Sequence, residues 1–262
     1  MELQTHLAGL AEQGIVPIAI SYDSQEVLAG FAEDNGIEYP LLSDEGSGVI
    51  RRYGILNTLI DPDEEHYGLP FPGSYLVGRD GRVEEKRFHR EYRIREAGGT
   101  VLRSLGARPD VAGYPRVEGG DDQLSITATL GAPEFKFDQI IDLVVRLELA
   151  PGLHLYGEPV QEGMYPTTVR VSSTAPLRVG DTRYPATQPH VVEGLDASLP
   201  AFVGELEVVV PLISDSREGV IPIGIEISYQ ACSDRECYIP RTERLHLDVP
   251  TGALVPGRPR PE

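Results

Sequence analysis

The chain has 262 residues, a formal net charge of −18 and two cysteines. That charge argues against a phosphate-binding surface, which needs clustered Lys and Arg, and no apolar run reaches the roughly 18 residues needed to span a bilayer. Neither a nucleic-acid partner nor a transmembrane segment is therefore expected. The length allows one large domain or two ordinary ones. A secretory leader would open on basic residues followed by about 7–15 apolar ones. Met1 to His6 reads instead as the inside of an amphipathic helix, so either the protein is cytoplasmic or the sequence begins part-way through a longer chain.

The first hundred residues alternate helical and strand patterns. Leu3, Leu7 and Leu10 recur at helical spacing, and Gly14 stands where a residue past a helix end belongs. Ile15 to Tyr22 is a short β-branched run suited to a buried strand. Asp23 and Glu26 resemble a capping box opening a helix that carries Val27, Leu28, Phe31 and Ala32 and stops at Gly36. Leu41 and Leu42 suggest another strand, and Gly48 to Tyr53 a short helix. Residues 57–70 form a polar loop. Ser74 to Val77, the turn signal Asp80-Gly81 and Val83 to Phe88 predict a hairpin. A last helix is expected over Arg95 to Leu105. This order predicts an α/β arrangement with a mixed sheet.

A stretch rich in Gly, Pro and Asp follows, which reads as a linker. Beyond it the pattern changes to β. Segments near 124–130, 140–149, 167–172, 202–213, 221–230 and 243–249 are strand-like. Alternation is clear at Leu206, Val208, Val210 and Leu212, and again at Ile221, Ile223, Ile225 and Ile227. Short strands separated by turn residues at this spacing predict a β-sandwich. The expected division is 1–105 for the α/β region, 106–121 for the linker, 122–250 for the sandwich and 251–262 for a disordered tail.

Both cysteines, Cys232 and Cys237, lie in the second half. In one straight strand their Cα atoms would stand about 16 Å apart, whereas a disulfide needs roughly 4.4–6.8 Å. Only a chain reversal joins them, and Ser233-Asp234 are turn formers between strand-like flanks. Three readings fit such a pair. It is a redox-active disulfide, a structural staple, or half of a zinc site completed by His154, His190 or His246. No His stands at ligand spacing from the pair in sequence, so neither a metal nor a cofactor is expected. Arg235 favours a thiolate while Asp234 and Glu236 oppose it, so charge does not decide between the readings.

The stretch Tyr229-Gln230-Ala231-Cys232 through Cys237-Tyr238-Ile239-Pro240 resembles the active-site hairpin of the DsbD N-terminal domain family. Gly152-Leu153-His154-Leu155-Tyr156 resembles that family's aromatic strand beneath the cysteines, and Leu206 to Leu212 a later core strand. The resemblance covers about residues 122–250. It implies an immunoglobulin-like β-sandwich that relays reducing equivalents outside the cytoplasm to thioredoxin-like redox proteins. It also implies that Cys232 and Cys237 are catalytic, Cys237 being the one attacked, with Tyr156 in support; read alone, Tyr156 is an ordinary core residue. Tyr238-Ile239-Pro240 reads by its own chemistry as an apolar, partly extended surface for a docking partner. The spacing of four residues is one shorter than in the best-known member. The family's shielding loop has no clean counterpart; Tyr184 to Val191 is the candidate.

Residues 1–105 resemble the later part of a redoxin, the peroxiredoxin-like branch of the thioredoxin fold. The matching residues are Ile18 to Ser24, Tyr39-Pro40-Leu41-Leu42-Ser43-Asp44, and Phe71-Pro72-Gly73-Ser74-Tyr75-Leu76-Val77 before Asp80-Gly81. By this resemblance Pro72 takes the place of the fold's cis-proline; read alone, it is an ordinary trans turn proline. No cysteine precedes Cys232, and reduction of a hydroperoxide requires a thiolate. An incomplete thioredoxin-like fold without peroxidase activity is therefore expected. The functional expectation is thiol–disulfide exchange through Cys232 and Cys237. The alternative is a non-catalytic binding module with a structural disulfide and a vestigial redoxin region.

Overall fold

The computed structural model describes residues 2–89, 91, 93–106, 109–191 and 198–252. The chain forms two compact units, residues 1–110 and 111–262.

In the first unit, α1 (Glu2–Thr5) and α2 (Leu7–Glu12) precede β1 (Ala19–Ser21), α3 (Gln25–Asn35), β2 (Leu41–Ser43) and α4 (Gly48–Arg52). A hairpin of β3 (Gly73–Val77) and β4 (Val83–Phe88) follows, then β5 (Arg95–Glu96) and α5 (Gly98–Ser104). Leu10 of α2 packs on Leu102 of α5, with Leu3, Leu7, Ile15 and Leu105 around them. The spacing of leucines read from the sequence thus marks a real apolar face. One local expectation changes. The cap of α3 is Ser24, whose hydroxyl accepts from Val27 N at 3.3 Å, while Asp23 instead accepts from the Ser21 hydroxyl. A serine so placed satisfies a free helical N–H that Asp23, one residue earlier, cannot reach. Asp44 serves α4 similarly, accepting from Val49 N at 3.0 Å and Ile50 N at 2.8 Å, and these bonds lower its pKa.

Parallel and antiparallel pairing both occur in this unit, but as two separate ladders rather than one mixed sheet. β1 and β2 pair in parallel, and β3 and β4 pair antiparallel. With only three residues each, β1 and β2 bury little: Ile20 is 39% exposed and Leu42 48%. The resemblance placed a cis peptide at Pro72. Among the described residues the single cis peptide is Glu158–Pro159, so Phe71–Pro72 is trans. Pro72 sits at a bend immediately before β3, its carbonyl accepting from His89 N at 3.0 Å.

The second unit is an immunoglobulin-like β-sandwich. Its strands are β6 (Arg116–Gly120), β7 (Leu124–Leu130), β8 (Gln139–Leu149), β9 (His154–Tyr156), β10 (Thr168–Ser172) and β11 (Leu177–Val179). They continue with β12 (Gln188–Val191), β13 (Ser198–Val203), β14 (Glu205–Ser214), β15 (Val220–Tyr229), β16 (Ala231–Cys232) and β17 (Arg241–Pro250). One sheet runs in the order β11-β14-β8-β7-β6, another β10-β15-β17. The alternating residues Leu206, Val208, Val210 and Leu212 on β14, and Ile221, Ile223, Ile225 and Ile227 on β15, are all buried. A period of two turns every second side chain to one face, and here that face is the core.

The segment read as a linker contains β6, which pairs with β7 from Arg116↔Thr129 to Gly120↔Ser125. Its glycines hid it. Gly120 has φ +103 and a Cβ there would meet the Leu124 carbonyl; a Cβ on Gly119 would meet Leu245. The expected tail, 251–262, lies mostly outside the described residues, although Thr251 N donates to Gly219 O at 3.0 Å.

A third sheet, of four short strands, places the site. It runs β12-β13-β9-β16. β9 continues from β8 after the turn at Gly152, which has φ +81. β13 passes into β14 through Gly204, φ +76. β16 continues from β15 through Gln230. Three long core strands therefore each extend into this sheet, which is anchored by the sandwich.

These differences set a stability order. Amide exchange should be fast at Ile20, whose strand is short and half-exposed, and slow at Ile223 and Ile225, which are buried in a ten-residue strand paired on both sides. Hydrogen exchange followed by mass spectrometry or NMR measures this; equal protection would show that β1 is held as firmly as the sandwich.

Candidate functional site

Cys232 and Cys237 form a disulfide across directly opposed hairpin positions, with Cα atoms 4.0 Å apart, closer than the usual span. The hairpin that carries it is held at every level. Tyr238 N donates to Ala231 O at 2.8 Å, and Ser233 N to Glu236 O at 2.8 Å. The Ser233 hydroxyl accepts from Arg235 N at 3.2 Å and Glu236 N at 3.1 Å, closing the turn. Gln230, nearly buried, donates from Nε2 to Tyr238 O at 3.0 Å and accepts from Tyr165 N at 3.2 Å. A side-chain amide so used satisfies two backbone groups that the short strand leaves unpaired.

The two sulfur-bearing residues sit in opposite environments. Cys232 is 0% exposed and packs in a cluster with Tyr156, Leu199 and Ala201, flanked by Val160 and Met164. Cys237 is exposed, as are Asp234, Arg235 and Glu236. Beyond it Ile239 is 83% exposed. The disulfide is thus closed on one side and open to solvent on the other.

β9 supplies the floor. Ala231 pairs with Leu155 and Cys232 with His154. Directly opposed residues of an antiparallel ladder project to one face, and so do His154 and Tyr156, two positions apart. His154 Nε2 lies 3.0 Å from the Tyr156 hydroxyl. The His190 ring, carried by β12, stacks on His154 with centroids 3.9 Å apart and planes inclined by 37°. His190 Nε2 stands 3.9 Å from Asp234 Oδ1 in the disulfide loop. Burial pushes the His154 pKa down, the neighbouring His190 adds to this, and Asp234 opposes it. Burial raises the Tyr156 pKa.

Of the residues singled out from the sequence, Cys232, Cys237, Tyr156 and Tyr238 come together here. Tyr238 contributes its backbone to the hairpin and a half-buried side chain. Pro72 belongs to the other unit. The 184–191 segment reaches the site through His190; Tyr184 itself stacks on Phe202 and accepts from Val169 N at 2.9 Å. The zinc site built on the cysteine pair does not form, because both sulfurs are in the disulfide. His246 pairs with Asp248 on β17 instead. The sequence reading missed the grouping of His154, His190 and Asp234, whose ligand atoms all lie within 4.8 Å of one another. The His154-x-Tyr156 alternation was the available signal, but the strand register that adds His190 is not written in sequence spacing.

Two family models match this geometry's two halves. Residues 123–249 match the model for the thiol:disulfide interchange protein DsbD, N-terminal. The second unit is thus similar to the DsbD N-terminal family. Residues 1–86 match the AhpC/TSA family. No curated protein matches the chain. Among solved structures, the DsbD N-terminal domain of Neisseria meningitidis in its reduced form is 15% identical, covering 55% of this chain and 90% of that one, with TM-score 0.31. The N-terminal periplasmic domain of ScsB from Proteus mirabilis is 18% identical, covering 50% of this chain and 47% of that one, with TM-score 0.35. The yeast GGA1 GAE domain is 10% identical, covering 52% and 99% respectively, with TM-score 0.32.

The depressed His154 pKa has a measurable consequence. The folded value lies below the reference 6.5, so between the two values the unfolded chain binds more protons. Stability contributed by neutral His154 is complete above that reference and is lost as pH falls through the window beneath it. Urea midpoints at about pH 7.5 and about pH 5 should therefore differ less in His154→Gln than in the wild type. An unchanged difference would show that His154 does not contribute to the acid sensitivity.

Proposed function

We propose that the second unit exchanges disulfides with thioredoxin-like proteins through Cys232 and Cys237. The observation that carries this reading is the asymmetry of the pair: Cys237 is exposed and Cys232 is completely buried. Thiol–disulfide exchange requires a thiolate to approach one sulfur while the other departs. Cys237 is the sulfur an incoming protein can reach.

In the oxidising direction, a partner thiolate attacks the Cys237 sulfur. The bond between Cys237 and Cys232 breaks, and Cys232 leaves as a thiolate that takes up a proton. The second thiol of the partner, as its thiolate, then attacks the partner's own sulfur in the mixed disulfide and releases Cys237. The partner ends oxidised and this chain ends with two thiols. In the reverse direction the reduced Cys237 attacks a partner disulfide, and Cys232 resolves the mixed disulfide.

The exposed Ile239 and the half-buried Tyr238 next to Cys237 offer an apolar border on which a partner can rest. The family match to DsbD supports this reading, and with it an oxidising compartment outside the cytoplasm. The first unit contains no cysteine. It therefore supplies no thiol to this chemistry. The competing reading, a static staple in a binding module, predicts instead that the bond resists exchange.

Trapping separates the two. Oxidised together with a thioredoxin-like protein that lacks its own second cysteine, Cys232→Ser should accumulate a mixed disulfide visible on non-reducing gels. Cys237→Ser should accumulate little, because its remaining sulfur is buried. Trapping by the opposite variant would reverse the assignment, and resistance of the wild-type bond to reduced thioredoxin would favour the staple.

A further inference from the structure

We propose that His154, His190 and Asp234 form a binding site for a divalent transition metal of the zinc class, beside the disulfide hairpin. The three residues come from three different elements: β9, β12 and the loop closed by the disulfide. One ligand atom from each lies within 4.8 Å of the other two. Sequence separations of 36 residues between the histidines and 44 to the aspartate give no local reason for such convergence; the strand pairing β12-β13-β9-β16 creates it.

Two imidazoles and one carboxylate are the donors that zinc takes in open, three-protein-ligand sites. The same set disfavours calcium and magnesium, which prefer oxygen donors alone. Burial is graded as an open site requires. His154 is 3% exposed, the His190 side chain 23% and the Asp234 side chain 85%. The floor is fixed and the mouth faces solvent, leaving a position for water as the fourth ligand.

The surroundings of His154 also fit. A metal-binding histidine is normally oriented by a partner on its other ring nitrogen. The Tyr156 hydroxyl lies 3.0 Å from His154 Nε2, and the ring is fixed further by its edge contact with Tyr156, centroids 4.9 Å apart. Nδ1 is then the ligand atom that this arrangement presents.

The plainer reading is a stacked histidine pair beside a loose ion pair. At 3.9 Å, however, His190 Nε2 and Asp234 Oδ1 stand beyond direct hydrogen-bond distance. Ligand atoms around a tetrahedral zinc sit about 3.3 Å apart, as follows from bonds of about 2.0–2.1 Å. Closing that gap takes a shift of Asp234, whose side chain is 85% exposed, and a turn of the His190 ring out of its stack on His154 so that both imidazole lone pairs meet at the ion. The cysteines take no part while they are disulfide-bonded, so this site stands independently of the exchange reaction proposed above.

The test uses the oxidised full chain, without reductant, titrated with Zn²⁺ by isothermal calorimetry. One zinc ion per chain is expected. His190→Gln and Asp234→Asn should each weaken binding by about 100-fold or more, and Tyr156→Phe by about 10-fold, the range for loss of an orienting partner. His246→Gln, which alters the exposed His246–Asp248 pair on β17, should leave binding unchanged. Circular dichroism and thermal melting establish that each variant is folded. Co²⁺ in place of Zn²⁺ should give intense visible absorption of a four-coordinate ion, lost in the two ligand variants. Absence of zinc uptake by the folded wild type, or uptake undiminished in both His190→Gln and Asp234→Asn, would overturn the proposal.

Discussion

The short ladder between β16 and β9 is the constraint on which the site depends. Two residue pairs, Ala231↔Leu155 and Cys232↔His154, fix where the hairpin lies. They place Cys232 against Tyr156 and Leu199, where no solvent reaches it. The same ladder, followed by a turn of four residues, leaves Cys237 on the outside. It also brings Asp234 toward His190. A slip of one residue would reverse each of these placements, because side chains of a strand alternate between faces. Gln230 guards against such a slip by bonding both Tyr238 O and Tyr165 N from a nearly buried position.

Magnitudes bear on the purpose of the disulfide. Closing a loop this short stabilises by about 2 kcal/mol in the chain-entropy model. Truncating a single buried leucine to alanine costs about 2–5 kcal/mol. The sandwich has many such side chains, among them Leu124, Leu130, Leu143, Leu147 and Leu212, all essentially inaccessible. A staple at the margin adds no more than one of these. A bond worth little to the fold, with one of its two cysteines exposed, is suited to being opened and reformed.

Much of the second unit was legible in its sequence because period-two alternation is a direct imprint of a half-buried strand. Leu206 to Leu212 and Ile221 to Ile227 read correctly for that reason, and the turn at Ser233-Asp234 followed from residue chemistry. The strands that escaped notice lack the imprint. β6 is glycine-rich, and β12 and β13 each carry a proline, Pro189 paired opposite Pro200. Sequence rules demote strands that contain proline, and Gly204 split what reads as one long strand into β13 and β14. In the first unit the elements were legible but their burial was not: Val27 and Phe31 of α3 remain 47% and 43% exposed. At the site, the hairpin that joins the cysteines was legible from its turn residues, and His190 was named only as a partner for the cysteines; its approach to His154 depends on the register of two intervening strand pairs.

The chain therefore joins a thiol-free thioredoxin-like region to a sandwich that holds both cysteines. The proposed exchange requires Cys232–Cys237 to be an exchangeable redox couple. Its reduction potential, measured by equilibrating the purified chain against thioredoxin or glutathione couples, tests this most directly. Structural disulfides lie below about −300 mV. An exchangeable pair should give a more oxidising value, within the range of thioredoxin-like relays. A value below that limit, with the bond remaining intact in reduced thioredoxin, would contradict the exchange.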